Sequence, residues 1–164
     1  MSIDKILKKL YNDKNLTPAN AIRVPDPIAT VSPALNYALN GGIRSGGFYC
    51  FSGPESSGKS FLALSCVAQV LRKNPEGVVF WFDVEKSLSE HFAKVLLTPD
   101  EYERCVIKRC DFGSDIFDYF ENTILGLIDE GLNVVGCVVD SLQAIIPPKE
   151  LNAKSTDDHL MGDL

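Results

Sequence analysis

The chain has 164 residues, of which 45% are hydrophobic and 23% charged. That suits one domain with a proper core and excludes both wholesale disorder and two domains of ordinary size. A net charge of −6 excludes a uniformly basic surface for gripping nucleic acid, while leaving room for a local groove.

The first predicted element is an amphipathic helix over residues 3–11. Ile3, Ile6, Leu7 and Leu10 form its apolar side, with Lys5, Lys8 and Lys9 elsewhere on the wheel. So short a helix is marginal alone and needs a surface to dock on. A segment punctuated by Pro18, Pro25, Pro27 and Pro33 follows, extended and with little core of its own. Residues 1–31 are therefore expected to stand apart, as a helix plus extended segment, from a domain over 32–164. Ser32-Pro33 has the form of an N-cap followed by proline at the first helical position. It opens a helix over 34–39 that Asn40-Gly41-Gly42 closes.

Residues 48–52 (Phe-Tyr-Cys-Phe-Ser) read as a short buried strand. Directly after them, Gly53-Pro54-Glu55-Ser56-Ser57-Gly58-Lys59-Ser60 fits G-x-x-x-x-G-K-[ST], the phosphate-cradling P-loop. The spacing has a chemical cause. Glycines at both ends let the backbone curl until several N–H groups point at one anion. Lys59 can then reach β/γ-phosphates, and Ser60 can offer its hydroxyl to Mg²⁺. A helix over 61–71, closed before Pro75, adds its positive dipole end.

Beyond it, strands and helices alternate. Residues 78–82 read as a buried strand, and Ser87-x-x-Glu90 as a capping box opening a helix toward Leu97. Residues 105–107 form a short strand, and 114–130 a longer helix with a stripe of Phe117, Phe120, Ile124, Leu127 and Ile128. Residues 134–139 form a last apolar strand. Four strands interleaved with helices predict an α/β fold of the P-loop NTPase class, a parallel sheet covered on both faces.

In such sheets ligands bind beyond the carboxyl ends of the strands. Asp140 follows the last strand in the Walker-B pattern, where a carboxylate orients Mg²⁺ and its waters. Many ATPases place their base directly after that aspartate, but here Ser141 follows. Asp83-Val84-Glu85 ends the neighbouring strand, and Glu85 is the natural candidate to deprotonate an attacking water. There is no N-K-x-D guanine-reading motif, no L-S-G-G-Q transporter signature and no arginine-rich lid.

Cys50, Cys66, Cys105, Cys110 and Cys137 contain no C-x-x-C pair, and with only His91 and His159 there is no zinc-ligand spacing. Cys50, Cys66 and Cys137 lie in apolar runs and are expected to be small buried hydrophobes. Free thiols, no signal-like start and no membrane-length run predict a cytoplasmic protein.

Taken together, these motifs resemble the RecA family of DNA strand-exchange recombinases, in particular its phage (UvsX-type) and bacterial members. The likeness rests on G-P-E-S-S-G-K-S including Pro54 and Glu55, and on Ala34–Gly42 with Ser45-Gly46-Gly47. Phe82-Asp83-Val84-Glu85, Val138-Val139-Asp140-Ser141 and Asp158-x-x-Met161-Gly162 complete it. The resemblance implies ATP and Mg²⁺ as cofactors, Glu85 as general base, and Phe92 where the family stacks an aromatic on adenine. It further implies single-stranded DNA as a partner, filament subunits docking through residues 1–31, and no membrane. The family's core runs on through a second DNA loop, so the resemblance implies a RecA-like core that is incomplete at its C-terminal side, acting in recombination and repair in full-length relatives. Another RecA-fold ATPase (helicase or clock-type motor) and a non-catalytic module docking on a recombinase filament are the alternatives.

Overall fold

The computed structural model describes residues 3–10, 23–110 and 114–142. Pro18, the segment 149–164 and its Asp158–Gly162 motif lie outside them.

Helix α1 (Ile3–Leu10) forms as its periodicity predicts, with Ile3, Ile6 and Leu7 exposed. Ile28 pairs with Ile43 in an antiparallel bridge, their N–H and carbonyl groups exchanged at 2.7 and 3.0 Å. The bridge lies so close to Gly42 that a Cβ there would meet the Ile28 carbonyl oxygen at 2.1 Å. Helix α2 (Pro33–Ala38) starts as expected, the Ser32 hydroxyl accepting from Leu35 N–H. It stops where Asn40 turns left-handed (φ +51°). Gly41 N–H then reaches the Asn36 carbonyl and Asn40 N–H that of Tyr37, a Schellman closure.

Helix α3 (Lys59–Lys73) buries Leu64, Val67, Ala68 and Leu71. Strand β1 (Val78–Asp83), helices α4 (Glu90–Leu96) and α5 (Pro99–Glu103) and strand β2 (Cys105–Arg109) follow. Next comes a long helical segment, α6 (Ser114–Tyr119) joined through a π-helical turn (Phe120–Ile124) to α7 (Leu125–Asp129). Strand β3 (Val134–Asp140) ends the described fold. The sheet is parallel, in the order β2-β1-β3. A strand buried on both faces needs a continuous apolar run, and β1 supplies one. Val79 and Trp81 pack with Leu64, Val67, Leu71, Ala93 and Leu97 on one face. Phe80 and Phe82 pack with Ile116 and Ile124 on the other, where Tyr119 meets both rings edge-on. The expected α/β architecture with helices on both faces is thus present.

Four expectations need correction. Residues 48–52 form no strand, so the described sheet has three strands rather than four. High β-propensity marks a segment suited to a pleated surface, not one that has a neighbour. Here Tyr49 folds back on the preceding turn, its hydroxyl accepting Arg44 N–H at 2.7 Å and its ring filling the space over Gly47. Phe48 is left 88% exposed, and Cys50 is exposed with it. Cys137, also expected to be buried, is exposed on edge strand β3, while Cys66 is buried as expected. The N-cap of α4 is Ser89, not Ser87, because Asp83 already holds the N–H groups of Ser87 and Leu88. Finally, Phe117, Phe120 and Ile128 of the predicted stripe are exposed, and Ile116 is buried instead. The π turn inserts extra backbone between the two halves, so no single 3.6-residue stripe spans them.

Candidate functional site

The loop before α3 is held open by backbone conformation. Gly58, at the N-cap, sits at φ +89°, and Ser56 at φ +56°. A Cβ on Gly53 would lie 2.9 Å from Ser57 Oγ, a hydroxyl that can rotate aside, so the demand for glycine falls on the left-handed Gly58. Lys59 Nζ donates to the carbonyl oxygens of Gly53 (3.1 Å) and Pro54 (2.9 Å), folding the cation over its own loop. An open pocket of about 310 Å³ lies between the loop and residues 50–52, edged by Ser57, Lys59 and Leu62. Glu55 is exposed and Ser60 half-buried beside it.

Topology decides which end of the sheet this loop faces. Asn74 ends α3, and Gly77 N–H donates to the Asn74 carbonyl at 2.9 Å just before β1 begins. Arg104 fastens the same corner, its guanidinium donating to the carbonyls of Asn74 (3.1 Å) and Gly77 (2.9 Å). The C-terminus of α3 therefore lies at the amino end of β1. Fifteen helical residues rise about 22 Å and six strand residues about 20 Å. The P-loop is thereby carried to the carboxyl end of the sheet.

At that end β1 and β3 stop in register, Asp83 opposite Asp140. The two aspartates are held differently. Asp83 is fully buried, with Ser87 N–H on Oδ1 (3.1 Å) and Leu88 N–H on Oδ2 (3.2 Å), and it pins the turn that carries Glu85. Asp140 is also buried, yet its Oδ2 has no hydrogen-bond partner among the described residues. The N–H groups of Val84 (2.9 Å) and Glu85 (3.4 Å) donate to the Asp140 carbonyl, and the Ser141 hydroxyl donates to Glu85 Oε1. One junction of strand ends thus brings Glu85 and Asp140 together, with the Glu85 side chain exposed.

Phe92 lies half-buried on α4, its ring tilted 51° against that of Phe61 with centroids 6.4 Å apart. Phe61 belongs to the first turn of α3, so this aromatic pair stands beside the loop. Asp83 and Ser141 are the two residues at this edge to which the sequence alone assigned no role. The signals were a second acid at the end of β1 and a hydroxyl directly after Asp140.

A buried carboxylate oxygen without a donor is costly unless a cation sits against it. The Asp140 carboxylate and the Ser60 hydroxyl are both hard oxygen groups of the kind Mg²⁺ prefers. No group of three or more His, Cys, Asp or Glu side chains among the described residues could cage a metal.

A parallel sheet with a glycine loop and acidic strand ends at its carboxyl edge defines a P-loop-type α/β core. The sequence matches the RecA N-terminal domain family across residues 3–163, and the chain belongs to that family. It is similar to Protein RecA of Mycoplasmopsis pulmonis (strain UAB CTIP), 30% identical over 161 residues that cover 97% of this chain and 45% of that protein. It is similar also to Protein RecA of Wolinella succinogenes, 34% identical over 137 residues, 82% of this chain and 36% of the relative. Protein RecA of Campylobacter lari is 33% identical over 168 aligned residues, 97% of this chain and 45% of the relative. The chain spans less than half the length of these relatives.

Proposed function

We propose that this chain binds Mg²⁺-ATP through its P-loop and supplies the N-terminal part of the DNA-dependent ATPase core of a strand-exchange recombinase. The observation that carries the reading is the buried, unpartnered Asp140 oxygen at the same sheet edge as the loop. In this reading the backbone of residues 53–60 (Gly53, Pro54, Glu55, Ser56, Ser57, Gly58, Lys59, Ser60) surrounds the phosphates, and Lys59 leaves its own carbonyls for the β/γ-phosphate oxygens. Ser60 and Asp140 hold Mg²⁺, which when bound neutralises charge developing on the phosphates. Glu85 accepts a proton from the attacking water, and Phe92 stacks on the adenine. The exposed Ile3, Ile6 and Leu7, with Lys5 and Lys8, support subunit docking through residues 1–31. Single-stranded DNA is the partner of the assembled protein.

Lys59→Ala tests the nucleotide reading. Loss of a charge-assisted phosphate contact should weaken Mg²⁺-ATP binding about ten- to a hundred-fold, on the order of 1.5–3 kcal/mol. Isothermal calorimetry measures this, and equal affinity of the two proteins overturns the reading.

A further inference from the structure

We propose that Ser141 is a positioning residue for Glu85, its hydroxyl fixing the carboxylate so that Oε2 is the oxygen left to face water. The inference rests on the reading of Glu85 as the general base.

Glu85 is exposed, and the terminal torsion of a glutamate is broad, so nothing intrinsic to the side chain selects one orientation. Its backbone is fixed by two bonds, from Val84 and Glu85 N–H to the Asp140 carbonyl. The Ser141 hydroxyl adds the third, donated to Glu85 Oε1. Asp83 cannot serve instead, because a carboxylate that accepts the N–H groups of Ser87 and Leu88 has no proton to donate to Glu85. Ser141 directly follows Asp140, so any displacement of Asp140 carries the hydroxyl with it. The candidate base and the candidate Mg²⁺ ligand are therefore aligned as a unit. Alignment matters because a misplacement of about 1 Å can cost roughly a hundred-fold in rate.

The test compares the 164-residue chain with its Ser141→Ala, Ser141→Thr and Glu85→Gln variants, by two readouts. In the nucleotide-free protein, three-bond NMR couplings report the Glu85 side-chain rotamers. We expect one dominant rotamer in the original chain and in Ser141→Thr, and averaged couplings in Ser141→Ala. In single-turnover ATP hydrolysis, Ser141→Ala should lower the rate about ten- to a hundred-fold with KM within about two-fold, and Ser141→Thr should restore the rate. Couplings that stay unaveraged in Ser141→Ala overturn the proposal, and suffice to do so if the chain shows no turnover. Averaged couplings with an unchanged rate overturn it as well. If Glu85→Gln abolishes turnover while Ser141→Ala is neutral, only the role of Ser141 falls. If Glu85→Gln leaves turnover intact, the assignment of the base falls and the role of Ser141 with it.

Discussion

Glu85 and Asp140 are acids on neighbouring strand ends, yet their surroundings suit them to different work. Asp140 is sheltered with an oxygen in need of a cation, whereas Glu85 stands in solvent where it can meet a water. Glu85→Gln separates binding from chemistry, because an amide keeps the size and the Ser141 bond but cannot take up a proton. We expect fluorescent-ATP affinity to stay within about two-fold and turnover to fall at least a hundred-fold. Turnover that survives unchanged shows that the proton goes elsewhere. Most of this candidate site was legible as residue types at fixed spacing, since the P-loop pattern, Glu85 and Asp140 stand out by their order along the chain. The Ser141–Glu85 bond was not, because it joins residues 56 positions apart that only the β1–β3 register brings together.

At the level of elements, local capping chemistry sets several boundaries. Thr98 and Glu101 form a complete capping box at α5, Thr98 N–H reaching Glu101 Oε2 at 2.9 Å and Glu101 N–H reaching Thr98 Oγ1 at 3.3 Å. Glu101 also accepts from Arg72 Nε at 2.7 Å, which ties α5 to the end of α3. Burial pushes the Glu101 carboxyl up, but the Arg72 guanidinium and the Thr98 N–H outweigh it and hold it below the usual carboxylate range. A depressed folded-state value means that the unfolded chain binds the proton first. The stabilisation is therefore complete above the unfolded value, near 4.3, and lost as pH falls through the folded one. Urea melts of the original chain and Arg72→Met should accordingly differ most near about pH 6, and the gap should close toward about pH 3. A gap constant over that range means that the pair carries no proton-linked stability. The elements that sequence misjudged share a cause. The S-x-x-E signal at Ser87 lost to Asp83, a strand-end side chain, and the stripe on the long helix lost its phase to a π turn that periodicity does not reveal.

For the whole molecule, net charge sets the expectation for DNA. Single-strand binding relies on a positive groove and stacking aromatics. This chain carries −6 overall. Its residues 149–164 hold Glu150, Asp157, Asp158 and Asp163 against Lys149 and Lys154, with no Phe, Tyr or Trp. The 164-residue chain tested alone should therefore show no stable binding to single-stranded DNA at physiological salt and little DNA-stimulated hydrolysis. Fluorescence anisotropy with a labelled oligonucleotide, with and without a non-hydrolysable ATP analogue, reads this directly. Tight, nucleotide-dependent binding means that a working DNA site is contained here. The sheet as a whole was legible because β1, β2 and β3 are apolar runs between helical patterns. Residues 48–52 share that pattern and differ in lacking a strand neighbour among the described residues, which composition does not encode.

The cation of Lys59 rests on the Gly53 and Pro54 carbonyls, so under the proposed function nucleotide capture is an exchange rather than an addition. Every bond that a phosphate oxygen forms with the ammonium replaces one that a loop carbonyl gives up, so the observed affinity is a difference between two bonded arrangements. The lysine is thus also a brace for its own loop. Removing it loosens the loop as well as deleting a contact, so the binding loss proposed for Lys59→Ala combines a missing phosphate bond with a less preorganised cradle.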